Sequence, residues 1–200
     1  MPNLEPVANI QDLVYGLDSI IAAQVMVDID RANNFKKQAE EIYSILTTGR
    51  LVKPKMSNRK TIAVTNNVAT VSGWDSLNMK WKQAIKQNKG ISLEQNESKV
   101  KEYYDNLRTE FNRYDYQTKV WSLDPKDDLG KHYRSHAEKQ ISAIQPDNSI
   151  GVSRDMCEED CCPYFYALAQ VRQHNIIIAD PNAIWLFYSH GRAKLVYRLL

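Results

Sequence analysis

Apolar residues recur at helical intervals near the start of the chain: Ile10, Leu13, Val14, Leu17, Ile20 and Ile21. After a polar break at Arg31-Ala32-Asn33-Asn34 the same spacing resumes at Phe35, Ala39, Ile42 and Leu46. This predicts one long helix or two, stopped by Gly49. In KTIAVTNNVATVSG two short β-branched runs flank Asn66-Asn67, a pair that tolerates the positive φ of a tight turn, so a β-hairpin is expected. Residues 75–130 are polar and rich in aromatics, and within them Val100, Tyr104, Leu107, Phe111 and Tyr114 mark one amphipathic helix. Asp124-Pro125 and Gly130 then close a loop.

The last third of the chain alternates more tightly. A helix is expected to begin near Ser135, followed by a short strand at Ser149–Ser153. A second helix of about 16 residues is expected from near Cys157, with Phe165, Leu168, Ala169 and Val171 as its apolar face. NIIIADP reads as a buried strand, AIWLFYS as another, and GRAKLVYRLL as a third after the turn Ser189-His190-Gly191. Hairpin, helix, strand, helix and further strands describe an α/β fold, one layered sheet with helices packed on it. Residues 1–50 form an N-terminal helical segment in this division, and 58–200 a second unit with a helical insertion at about 75–130. The N-terminal segment carries no nameable catalytic residue and could be a delivery remnant, a dimer surface or a cap over the sheet.

Composition changes the picture little. With 200 residues, 43% of them hydrophobic and 25% charged, the chain suits an ordinary globular core. No apolar run approaches the ~20 residues needed to cross a bilayer, and MPNLEPVANIQDL lacks a basic start followed by an apolar stretch. A soluble chain without a cleaved secretory signal and without membrane contact is expected. The formal charge of +2 is too small to point to nucleic acid by itself. Lys53, Lys55, Arg59 and Lys60 gather in VKPKMSNRK, either as a solvated loop or as a phosphate-contacting patch.

The three cysteines change it more. Cys157, Cys161 and Cys162 are the only ones, and such clustering fits metal or redox chemistry better than a disulfide framework. Upstream, RSHAEKQI carries two meanings. Ser135 and Glu138 have the spacing of a capping box, which would make them punctuation for a helix start. His136 beside Glu138 is also a metal ligand beside an acid, half of what a zinc deaminase needs. Cys157 and Cys161 would share one helix face, and helix N-terminal amides favour the thiolate that zinc binds. Two thiolates and an imidazole make three protein ligands, which leaves a fourth position open. His132, four residues before His136, lacks the acid of an HExxH pattern and reads as a surface residue or as one that supports the ligands from behind.

The pattern SHAEKQ, then IGVSRDMCEEDC, then a helix and NIIIADP resembles the cytidine deaminase-like superfamily of zinc deaminases, in particular its bacterial toxin and effector branch. The resemblance implies a mixed β-sheet of about five strands sandwiched by helices, with zinc at the facing N-termini of two of them. It implies His136 and Cys157 as zinc ligands and Glu138 as the proton shuttle. The third ligand would be Cys161, with Cys162 as the alternative, because the family places two residues between its cysteines and here three or four intervene. The family's proline before the first cysteine is replaced by Met156. The implied reaction is hydrolytic deamination of a nucleobase, cytosine to uracil in DNA or RNA foremost, with adenine as a further substrate class. By analogy Asn66 or Asn67 and Trp74 would border the base pocket, although a turn explains the asparagines and a core the tryptophan equally well. A toxin would also have an immunity protein in its producer. Two other classes compete: a non-catalytic, zinc-stabilised binding module on the same fold, favoured by the irregular cysteine spacing, and a different metal-assisted hydrolase such as a nuclease, favoured only by the basic run.

Overall fold

The computed structural model describes residues 5–48, 60–73, 79–112, 136–158, 160–189 and 195–198. These form an α/β fold in which one mixed sheet is covered by helices on both faces. Its strands are β1 (Glu5–Val7), β2 (Ile62–Thr65), β3 (Val68–Val71), β4 (Ser92–Glu94), β5 (Ser149–Val152), β6 (Ile176–Ala179), β7 (Ala183–Phe187) and β8 (Leu195–Arg198). The helices are α1 (Ser19–Thr48), α2 (Met79–Lys89), α3 (Glu97–Asn112), α4 (Ala137–Ile144) and α5 (Cys161–Arg172), with a short 3-10 turn at Ile10–Val14. The order across the sheet is β1-β8-β7-β6-β5-β2-β3-β4. The pairs β1/β8, β3/β4 and β5/β6 are parallel and the others antiparallel. Helix α5 makes the crossover between parallel β5 and β6, as a βαβ unit requires.

The central strands are apolar on both sides because both sides are covered. In β6, Ile176 and Ile178 face α4 and α5, while Ile177 and Ala179 face α1. In β7, Trp185 and Phe187 take the first face and Ile184 and Leu186 the second. Helix α1 crosses the whole second face. Its N-terminal half packs Val25, Ile29 and Ala32 on β6 and β7, and its C-terminal half packs Phe35, Ala39, Ile42 and Leu46 on β2 and β3. The close approach is permitted by Gly151 of β5, whose missing Cβ would lie 1.9 Å from the Lys36 backbone nitrogen.

Several expectations are corrected in detail. The sheet has eight strands rather than about five. The helical spacing at residues 10–17 resolves into a 3-10 turn, and α1 begins at Ser19 and runs unbroken through Arg31-Asn34. The N-terminal segment is a cap over the sheet, and β1 extends the sheet beside β8. The polar region after the hairpin contributes α2 and strand β4 besides the expected helix α3. Helix α5 begins at Cys161, four residues later than the spacing suggested, so Cys157 sits in the loop that precedes it. Gly49 lies outside the described residues. Among the described residues no helix is long and apolar enough to cross a membrane.

Candidate metal centre

Helix α4 starts where β3 ends. Thr70 Oγ1 donates to the Ala137 carbonyl at 2.7 Å, and Gln140 Nε2 donates to the Val71 carbonyl at 2.9 Å. These bonds fix His136, which is the N-cap of α4 and whose carbonyl accepts the N–H groups of Lys139 and Gln140. Its side chain makes no capping hydrogen bond. Ser135, the other residue of the capping-box alternative, lies outside the described residues.

The imidazole turns to the second helix. His136 Nδ1 lies 3.2 Å from Cys161 Sγ across 25 residues of sequence, and 3.8 Å from Asp160 Oδ2. Ligand atoms of His136, Asp160 and Cys161 all lie within 4.8 Å of one another. A tetrahedral ion with bonds of about 2.0–2.3 Å would set its donors about 3.3–3.8 Å apart, close to the separations of His136 from Cys161 and from Asp160. The group could hold a metal ion.

Cys157, expected as a ligand, is not in that group of atoms; it adjoins the group from the loop after β5, hydrogen-bonded to Cys161. Its carbonyl accepts the N–H groups of Cys161 at 3.0 Å and Cys162 at 3.1 Å, a turn that folds the loop back onto the start of α5. A hydrogen bond from the Cys161 thiol, with backbone N–H bonds from Cys161 and Asp160, pulls the Cys157 thiol down to about 6 despite the opposing cost of burial. Burial first, then the bond to Cys157, pushes the Cys161 thiol well above its usual value in the absence of a cation. Cys162 is buried in the core beneath α5 and is not in the group that meets His136. Of the two alternatives, Cys161 is the cysteine brought to the histidine.

Glu138 is buried within the first turn of α4. Desolvation raises its carboxyl to about 7; its own backbone N–H and Lys139 partly oppose this, and the charges of Cys157 and Asp160 add to it. A carboxyl poised there can both take and give a proton near neutrality. Solvent reaches the cluster from one side, because the His136 side chain keeps 24% of its exposure and Cys157 is half-buried.

Two charged residues of this centre escaped the sequence pattern. Asp160 falls three residues after Cys157, one position before the cysteine expected as the further ligand. Lys139 is completely buried and donates to Asp160 Oδ2. Its ammonium also sits 5.1 Å from the centroid of the Tyr164 ring.

The base-pocket residues fare differently. Asn66 occupies the hairpin turn with φ 47°, donates to Asp147 Oδ2 at 2.7 Å and accepts from Arg31 at 3.4 Å. Asp147 precedes β5, whereas the cysteines follow its other end, so Asn66 is not brought to the metal centre. Trp74 lies outside the described residues, as do His132 and Lys53, Lys55 and Arg59 of the basic run. Lys60 is buried and donates to the Ser72 carbonyl at 3.0 Å, which removes it from any solvated patch. No protein-family model matches the chain, and no curated protein matches it.

Proposed function

We propose that this protein is a zinc-dependent hydrolase that deaminates a nucleobase, with cytosine in nucleic acid as the favoured substrate. The observation that carries this proposal is the meeting of His136 Nδ1 and Cys161 Sγ at 3.2 Å beside the buried acid Glu138. Imidazole and thiolate donors suit zinc among the common biological metals. The ligands would be His136, Cys157 and Cys161, leaving one position open on the solvent side. Bound there, zinc supplies the Lewis acidity that makes water nucleophilic at neutral pH.

The chain's own residues would do the rest. Glu138 takes one proton from the attacking water and passes it to the ring nitrogen. The second proton follows to the amino group, which leaves as ammonia, so cytosine and water become uracil and ammonia. The buried site around Glu138 keeps the carboxyl able to protonate reversibly. Action as a toxin or effector on DNA or RNA, delivered into a target cell and paired with an immunity protein, belongs to the same proposal and rests on the sequence resemblance alone.

The test is a panel of single- and double-stranded DNA and RNA oligonucleotides, sequenced after incubation with zinc-loaded protein. Cytosines should read as thymine with the wild type, and Glu138→Ala should retain zinc yet change none. One observation favours a second proposal, a non-catalytic binding module. Asp160, rather than Cys157, is the third member of the group with His136 and Cys161; were Cys157 to join them, four donors would close a tetrahedral shell. Zinc binding without ammonia release from nucleosides, DNA or RNA would select it.

A further inference from the structure

Asp180 follows β6 and is almost completely buried. Its Oδ1 accepts the backbone N–H groups of Asn182 at 2.8 Å and Ala183 at 2.7 Å, and its Oδ2 accepts the indole N–H of Trp185 at 2.7 Å. Those three bonds shape the turn from β6 to β7. The fourth does something else. Oδ2 also accepts the backbone N–H of Met156 at 3.1 Å, across 24 residues, and Met156 immediately precedes Cys157. The Asn182 side chain adds a parallel link, donating to Asp155 Oδ1 at 2.8 Å. A turn between two antiparallel strands has no need of either bond, yet both reach the loop that carries the first cysteine.

We propose that Asp180 is a positioning residue for the metal centre, fixing through the Met156 N–H the backbone from which Cys157 projects. The inference rests on the metal-binding proposal above. It also explains why residue 156 has a backbone N–H to give: a proline there would leave a buried carboxylate oxygen short of a donor. Groups that orient ligands from behind typically change metal affinity by 10–100-fold when removed.

Cobalt(II) in place of zinc gives a readout that needs no substrate, because the thiolate-to-cobalt charge-transfer band reports cysteine coordination directly. Three variants separate positioning from mere folding. Met156→Pro deletes the N–H and leaves Asp180 and the turn in place. Asp180→Asn presents an NH₂ group toward two donors. Trp185→Phe removes the other donor to Oδ2 while the Met156 bond remains. The first two should lower cobalt affinity by about tenfold or more and weaken the band per bound ion. Trp185→Phe should lower thermal stability and leave affinity unchanged. Should Asp180→Asn fail to fold, Met156→Pro decides alone. Wild-type cobalt affinity in Met156→Pro would overturn the inference and reduce Asp180 to a turn former. Absence of the charge-transfer band in the wild type would overturn the metal-binding proposal instead, and the positioning role with it.

Discussion

Lys139 and Asp160 form a buried ion pair between the helix that begins after His136 and the residue that precedes Cys161. The lysine side chain is fully removed from solvent and the aspartate nearly so. The pair therefore ties together the two sides of the candidate metal centre, and the Lys139 charge favours the ionised forms of Glu138 and Cys161. A lone cation at this depth would be costly.

Breaking this pair from one side should be worse than removing it altogether. Lys139→Met leaves the Asp160 carboxylate buried without its cation and should cost about 3–5 kcal/mol of stability. The double variant Lys139→Met/Asp160→Leu should recover most of that loss, since matched apolar groups need no desolvation to be repaid. Urea unfolding of the chelator-treated protein at neutral pH measures both. A single-variant cost below about 1 kcal/mol would place the pair in water rather than in the core.

The same pair marks where one-dimensional pattern stops being informative. Strands β5, β6 and β7 were legible because their apolar runs are short, β-branched and bounded by turns, and α1 because its apolar spacing is sustained for most of its length. Strands β1 and β4 were not, since three residues such as Glu5-Pro6-Val7 carry no period and are strands only by pairing with distant neighbours. The start of α5 was placed too early because a cysteine reads alike in a loop and in a helix; the paired bonds to the Cys157 carbonyl settle the difference. His136 and Cys161 were legible as chemistry. Lys139, Asp160 and Asp180 were not, because charged residues are read as surface unless their partners are known, and the partners lie 21 to 24 residues away.

Glu138 gives the metal-free protein a defined pH dependence. Its carboxyl is raised by burial from 4.5 to about 7, so the folded state holds a proton that the unfolded chain has released across that window. Stability from this group is complete below about 4.5 and falls as pH rises through about 7. Glu138→Gln removes the titration and keeps the shape. In the presence of chelator it should be more stable than the wild type by about 3 kcal/mol at pH 8, with the gap closing near pH 4. Denaturant titrations at the two pH values check it, and a pH-independent gap would show that the carboxyl is not buried as described.

Two glycines should respond to alanine for different reasons and by different amounts. Gly90 follows α2 with φ +68° and has open space where a Cβ would go, so Gly90→Ala incurs only the left-handed backbone penalty of about 1–2 kcal/mol. Gly151 has no such freedom around it. A Cβ there would lie 1.9 Å from the Lys36 backbone nitrogen and 2.1 Å from the Phe35 carbonyl carbon, and backbone inside a packed helix cannot step aside as a side-chain tip can. Helix α1 would have to lift off β5, opening the Phe35, Ala39 and Ile42 contacts on the sheet. Gly151→Ala should therefore cost about 3 kcal/mol or more, and it should expose amides of α1 to hydrogen exchange while those of α5 stay protected. Equal losses at the two positions would mean that α1 rides farther from β5 than the backbone contact at Gly151 requires.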